Sequence, residues 1–470
     1  MQRPGSGVFL LILLLVLGCR GPGEDARVIG PAPVPLGKPA PEPAVEWVRQ
    51  HAAPIQTENP LNGDGDLAAF GRMVGTAHVV ALGEATHGTR QFFAMKHRLI
   101  KYLVQQRGFR TFAMEADGGA SCAINEYIHT GKGNPDQLVR ALRFWTWSTE
   151  EFLTLVRWMH DYNQTARADQ AISFRGIDMQ DPLATTRQVV SFLRRFDPEA
   201  AGKAESDYRC LGPLEDHAAL EAEYPSQEYD TQLRCAARIT AIHQSLSRRR
   251  SLYEQKSPSA YACALWSAKL LEQTEMLLRL PSARDYLYGE NVLALAAPFE
   301  SPGKVIVWAH NGHIADTFGA MGRHLKRRLG ADYLIVSFTF YSGSFRARTR
   351  QPDGGAGPPV AIAAPPARLD SYEAAFHRAG LSRFILDLRP LRRTAGSQDW
   401  LDGPHPMWDI GGAYSARFSL SPMRLAEAYD SVVFLDRGDA STPLPRDSKA
   451  ELNTEHANRG AVPFWQWRMK

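Results

Sequence analysis

Two short stretches of the chain pair ionisable side chains three residues apart: Glu84 and His87 in Gly83-Glu84-Ala85-Thr86-His87-Gly88, and His310 and His313 in Ala309-His310-Asn311-Gly312-His313. Each pair follows an apolar run of strand length, Val79 to Leu82 or Val305 to Trp308, and spans small residues that favour a turn. Open α/β sheets bind ligands outside the carboxyl ends of their strands, so two such pairs on one edge would gather a Glu and three His around one crevice. Two more apolar runs end alike: Arg110 to Met114 leads into Glu115, and Ala171 to Ile177 into Asp178. An acid or imidazole at the end of a buried strand is desolvated, which shifts its pKa and suits it to proton transfer. One such residue is accounted for as the cap of the next turn, but four strands ending this way read as a site.

The familiar alternatives are missing. The chain has no G-x-S-x-G elbow, no H-E-x-x-H helix, no Walker phosphate loop and no G-x-G-x-x-G dinucleotide turn. The chemistry must rest on Glu, His and Asp, which can activate water with an imidazole base and orienting carboxylates. The same groups can hold a metal, and Glu84, His87, His310 and His313 form the alternative ligand set. Lys96 shares a helical stripe with Phe92, Leu99 and Leu103, so its cation is partly desolvated. It would stabilise a negative tetrahedral intermediate or pair with a catalytic carboxylate, and it would repel a divalent metal; alternatively its ammonium reaches solvent.

Alternating strand and helix signals from Val79 onward predict an α/β fold, a mostly parallel sheet flanked by helices. The expected strands are Val79 to Leu82, Thr111 to Met114, Ala171 to Ile177, Lys304 to Trp308, Tyr333 to Phe338, Phe384 to Leu388 and Val432 to Leu435. Residues 182–300 contain no strand pattern and read as a large helical insertion, with helical periodicity over Val190 to Phe196, Leu233 to Leu246 and Ala260 to Leu280. The insertion is expected to form a lid or pocket wall. Gln351 to Pro366, rich in Gly, Pro and Ala, reads as a loop.

The 470 residues carry 54 basic and 50 acidic side chains, a formal charge of +4, so nothing implies a nucleic-acid partner; Arg323 to Arg328 reads as a solvated helix face. Arg3 precedes an apolar run from Val8 to Leu17, and Val16-Leu17-Gly18-Cys19 resembles a lipobox, so residues 1–19 read as a lipoprotein signal with Cys19 as the acylated residue. The alternative is an ordinary secretory signal. Residues 20–45, with prolines at 31, 33, 35, 39, 41 and 43, read as an extended tether, residues 46–440 as the α/β domain, and residues 441–470 as a C-terminal tail. The expected location is the bacterial envelope, on its periplasmic face or at the cell surface, held to the membrane by the lipid. Cys122, Cys210, Cys235 and Cys263 remain, an even number for an exported chain. A disulfide between two of the last three is expected, and the pairing is open.

The residues Gly83 to Thr89, Phe92-Phe93, Phe112 to Glu115, Gly176-Ile177-Asp178 and Ala309 to His313 resemble the erythromycin esterase family in content and order. Phe144-Trp145-Thr146-Trp147, Trp158, Tyr162-Asn163, Arg284-Asp285 and Asn291 extend the resemblance over roughly residues 50 to 440. It implies hydrolytic opening of a macrolide lactone without a required metal or other cofactor. His87 would be the general base, Glu84 and Glu115 would stand beside it, and His310 and His313 would complete the cleft. Asp178, Arg284, Asp285 and Asn291 would face substrate. The family's basic residue, usually arginine in the enzymes that act on macrolides, falls on Lys96, which keeps the charge and loses the bidentate fork. The expected partner is therefore a small ester or lactone. Two other readings stand beside this one: a hydrolase or protease that uses a divalent metal on the same Glu/His cluster, and a tethered binding protein without turnover.

Overall fold

A computed structural model describes residues 37–297, 303–350, 355–393, 399–415 and 419–445. The strands are β1 (Ala53–Pro54), β2 (Val79–Leu82), β3 (Thr111–Asp117), β4 (Ser173–Asp178), β5 (Val305–Trp308), β6 (Tyr333–Arg350), β7 (Ala356–Ala364), β8 (Arg383–Asp387), β9 (His405–Trp408), β10 (Ala413–Tyr414), β11 (Leu420–Met423) and β12 (Ser431–Gly438). The main sheet runs β1-β8-β12-β6-β2-β5-β3-β4, with β7 and β10 also paired to β6. From β12 to β4 every neighbour is parallel, while β8 and β1 are antiparallel additions at one edge. The expected mostly parallel α/β sheet is present, and all seven expected strands lie in it.

β2 and β5 are apolar at every position because both faces of the sheet are covered. Successive residues divide between two cores: Val80, Leu82, Phe112, Ile306 and Trp308 on one face, Val79, Ala81, Ala113, Val305 and Val307 on the other. The helix Arg90–Arg107 covers the first face with Phe92, Phe93, Leu99 and Leu103 and ends at Gly108, whose left-handed φ of 73° caps it.

The helical insertion forms, and its helices Pro182–Phe196, Tyr229–Arg248 and Pro258–Arg279 contain the three periodic segments. They bury a core of their own that includes Val189, Leu193, Ile239, Leu246, Tyr261 and Leu271. Cys210 pairs with Cys235 inside this layer, and Cys263 pairs with Cys122 on the helix Gly118–Thr130, tying the insertion to the helix that follows β3.

Three expectations change. Gln351 to Pro366 is not a loop throughout, since Ala356–Ala364 pairs with β6 as an antiparallel strand; Pro358 and Pro359 hid it, and proline is tolerated there because β7 pairs only on its β6 side. The tether ends early: Glu42–His51 is a helix with Pro43 in its first turn, where a missing N–H costs nothing, and it buries Ala44, Val45 and Val48. At the other end Ser441 and Leu444 are buried, and their N–H groups bond Gly88 and Ser148, so the domain reaches past residue 440. The signal segment with Cys19, residues 20–36 of the tether and residues 446–470 of the tail lie outside the described residues. Among the described residues no helix is long and apolar enough to cross a membrane.

Candidate active site

The register of the parallel strands aligns the ionisable residues. Leu82, Trp308, Met114 and Gly176 form one row across β2, β5, β3 and β4. Glu84, His310 and Asp178 lie two residues beyond that row and Glu115 one, all on the carboxyl edge. Between Met114 and Asp117, β3 bulges against β4, the kind of irregularity that re-aims a side chain beside a site. Only glycine fits opposite, because a Cβ on Gly176 would run into the carbonyls of Ala116 and Asp117. Asn311 ties the second turn to β6 by exchanging two hydrogen bonds with the backbone of Phe338.

Glu84 is fully buried and all its partners are donors. Its Oε1 lies 2.5 Å from His87 Nδ1; its Oε2 accepts from Lys96 Nζ at 2.6 Å and from Trp308 Nε1 at 2.9 Å. Burial opposes the carboxylate charge, but Lys96 and His87 outweigh it and hold Glu84 below the usual range. Lys96 does not reach solvent. It is completely buried, with Nζ 4.2 Å from the Trp308 ring centroid, and burial pulls it down to about 8 despite Glu84.

A second network adjoins the first. Glu115 Oε2 accepts the His310 N–H at 2.9 Å, and Oε1 sits 3.2 Å from His313 Nε2 and 3.4 Å from Arg284 Nη2. Arg284 reaches Asp178 at 2.7 Å, and His313 Nδ1 reaches Asp285 at 2.8 Å. Burial works against the His313 imidazolium, yet Asp285 and Glu115 raise it to about 10, so it is a cation at neutral pH. Burial likewise opposes the Glu115 charge, and His313, His87 and Arg284 hold that carboxyl well below its ordinary value. His310 shifts the other way, lowered by burial against the pull of Asp409, and is neutral.

The three histidines differ in what they leave open. His310 meets the Gly312 N–H with Nδ1 at 3.2 Å, and its Nε2 lies 3.1 Å from the Gly411 nitrogen and 3.3 Å from the Ala85 carbonyl. His313 has both nitrogens engaged, Nδ1 by Asp285 and Nε2 by Glu115. His87 has Nδ1 on Glu84 and, among the described residues, no protein partner on Nε2. Its ring stands 5.2 Å from the His310 ring and 5.7 Å from that of Trp147, with the side chain 11% exposed.

Nine of the ten predicted site positions thus come together: Glu84, His87, Lys96, Glu115, Asp178, Arg284, Asp285, His310 and His313. Asn291 stands apart. It is fully buried, and its amide bonds the Ile177 carbonyl and Gln273, so it braces β4 from behind. Among the described residues no three His, Cys, Asp or Glu side chains are placed to share an ion, and Glu84 already faces the Lys96 ammonium. Sequence reasoning missed Trp308 as a donor to Glu84, because it reads as one more apolar strand residue. It also missed Asp409-Ile410-Gly411-Gly412, which lies against the first turn through the Ala85 carbonyl. The signal was an ionisable residue followed by two glycines.

A family model described as "Erythromycin esterase" matches residues 104–438. The chain belongs to the erythromycin esterase family. The matched segment begins after Glu84, His87 and Lys96, whose place rests on the geometry above. Erythromycin esterase type II of Escherichia coli is 27% identical over 332 residues, 63% of this chain and 77% of its own. YbfO of Bacillus subtilis (strain 168), named for a proposed hydrolase function, is 24% identical over 426 residues, 83% of this chain and 90% of its own. A crystal structure described as a succinoglycan biosynthesis protein superposes with a TM-score of 0.73 at 26% identity, covering 86% of this chain and 98% of that one. A histidine-to-asparagine mutant of erythromycin esterase EreC in its open conformation shares the fold, with a TM-score of 0.61 at 18% identity over 84% of this chain and 99% of that one. This esterase-family protein is accordingly a hydrolase.

Proposed function

We propose that the protein hydrolyses carboxylic esters or lactones, a macrolide-type lactone or a related ester, by using His87 to activate water without a required metal. The observation that carries this reading is His87 Nε2, which among the described residues has no protein partner and lies at a cleft where the opposite nitrogen is held by an ionised Glu84. With Nδ1–H donating to Glu84, Nε2 carries the lone pair and takes a proton from water as the oxygen attacks the carbonyl carbon. Glu84 stabilises the resulting imidazolium, and Lys96 acts through Glu84 as a positioning residue. Arg284 and His313 supply fixed positive charge for the oxyanion of the tetrahedral intermediate. Glu115, Asp178 and Asp285 hold those two cations in place. Collapse of the intermediate returns the proton from His87 to the leaving alkoxide.

The half-buried Trp145, together with Gly412, gives an apolar wall beside His87 suited to an ester body. The two disulfides suit an exported protein, and a lipid on Cys19 would keep it at the envelope. The test is to incubate the chain with macrolides and simple lactones and read product mass for the gain of one water. His87→Ala should lower turnover by roughly a hundred- to ten-thousand-fold while the thermal transition is kept. Turnover that survives this change removes His87 from the mechanism, and a ligand recovered at unchanged mass turns the reading towards binding alone.

A further inference from the structure

The amino edge of the sheet, opposite the catalytic turns, holds a cavity of about 470 Å3. Four cationic side chains line it, Arg72, Lys326, Arg389 and Arg392, against one carboxylate, Asp430. Asp430 is fully engaged: Lys326 Nζ lies at 3.0 Å, Arg392 Nη1 at 2.8 Å, and the Ile335 N–H at 2.9 Å. Arg389 has its counter-charge in Asp387, behind the cavity wall. Even with that carboxylate counted, two positive charges are left over, and clustered like charges are unfavourable unless an anion offsets them.

The free donors point to where that anion sits. Arg72 is exposed and has no partner among the described residues, and neither the N–H nor the hydroxyl of Thr76 has one. Lys326, Arg389 and Arg392 are fixed by their bonds to Asp430, Asp387 and the carbonyls of Tyr333, Met73 and Tyr429, so their charge is preorganised. Met73, Val74, Ala77 and Leu334 make the remaining wall apolar. The volume falls in the range that holds a whole small molecule and exceeds the need of a bare ion.

We propose that this cavity binds a phosphate monoester with a compact apolar body, its dianion facing Arg72 and Thr76 and its body against Met73 and Leu334. The surplus of two charges matches a dianion better than a carboxylate, and arginine gives phosphate oxygens paired donors. The site is separate from the cleft of His87, because β2 runs between Ala77 and Glu84, and it stands independently of the ester reading.

Isothermal titration of the full chain with phenyl phosphate, benzoate, inorganic phosphate and benzyl alcohol tests it. Phenyl phosphate should saturate one site, benzoate and inorganic phosphate should bind more weakly, and benzyl alcohol should not bind. Arg72→Gln should weaken phenyl phosphate by about tenfold, the loss of one charge-assisted contact, and leave ester turnover unchanged. His87→Ala should leave phenyl phosphate binding intact. The proposal is overturned by an absence of saturable binding, by equal affinity for benzyl alcohol or benzoate, by affinity indifferent to Arg72→Gln, or by binding that disappears with His87→Ala.

Discussion

Glu84→Gln is the most discriminating change at the proposed base, because the replacement is nearly isosteric and alters only charge and hydrogen-bond polarity. Glu84 accepts three bonds, one on Oε1 from His87 and two on Oε2 from Lys96 and Trp308. A glutamine offers one acceptor and one NH2. With the NH2 towards Lys96 and Trp308, donors would face an ammonium and an indole N–H in a dry site, an arrangement that leaves buried donors unmatched. The amide therefore turns its oxygen to Lys96 and Trp308 and its NH2 to His87 Nδ1. That forces Nδ1 to accept and moves the imidazole proton to Nε2, the nitrogen that should receive a proton from water. Loss of the base is worth roughly a hundred- to ten-thousand-fold in turnover, about 2.7–5.4 kcal/mol of barrier. Lys96 also loses its counter-charge, and breaking a buried pair from one side costs about 3–5 kcal/mol of stability. The double variant Glu84→Gln/Lys96→Met separates the two effects: it should recover most of the urea midpoint lost by Glu84→Gln and none of the kcat/KM. The reasoning fails if Glu84→Gln keeps more than about a tenth of kcat/KM, or if the double variant restores turnover.

His313, raised from 6.5 to about 10, contributes stability that is complete below pH 6.5 and is lost as pH rises towards 10. Lys96, lowered from 10.5 to about 8, acts in the opposite sense only above pH 8, so the window from 6.5 to 8 isolates the histidine. Stability should fall there by about 2 kcal/mol in the native protein and by much less in His313→Gln, read from urea midpoints at each pH; parallel slopes would refute the buried imidazolium. The Cys122–Cys263 link closes a span of 141 residues and Cys210–Cys235 one of 25. Loop-closure entropy puts their worth at about 5 and about 3.5 kcal/mol at most, so Cys122→Ser/Cys263→Ser should lower the urea midpoint more than Cys210→Ser/Cys235→Ser. An equal or reversed order would refute loop closure as the source of their difference.

Periodicity and strand endings made much of the molecule readable. The runs ending before Glu84 and His310 are apolar at consecutive positions because both faces of a parallel sheet are covered, and that is a local property of composition. β7 was not readable, since Pro358 and Pro359 argue against a strand until pairing with β6 on one side is known. Lys96 was legible as a member of an apolar stripe, but either fate of its ammonium fitted that stripe. Only the arrival of Glu84, just beyond β2, and of Trp308, on β5, gives the cation its partners.

The sequence by itself determined which residues end the strands and therefore which could share an edge, because alternation and turn chemistry act over a few residues. The tertiary structure decided the division of labour among them. Glu84 became an orienting anion, His313 a cation, His310 a neutral ring and His87 the imidazole with a free nitrogen through partners 3 to 225 positions apart. Charge state and lone-pair direction depend on burial and on neighbours within a few ångströms, and those distances exist only once the strands are in register.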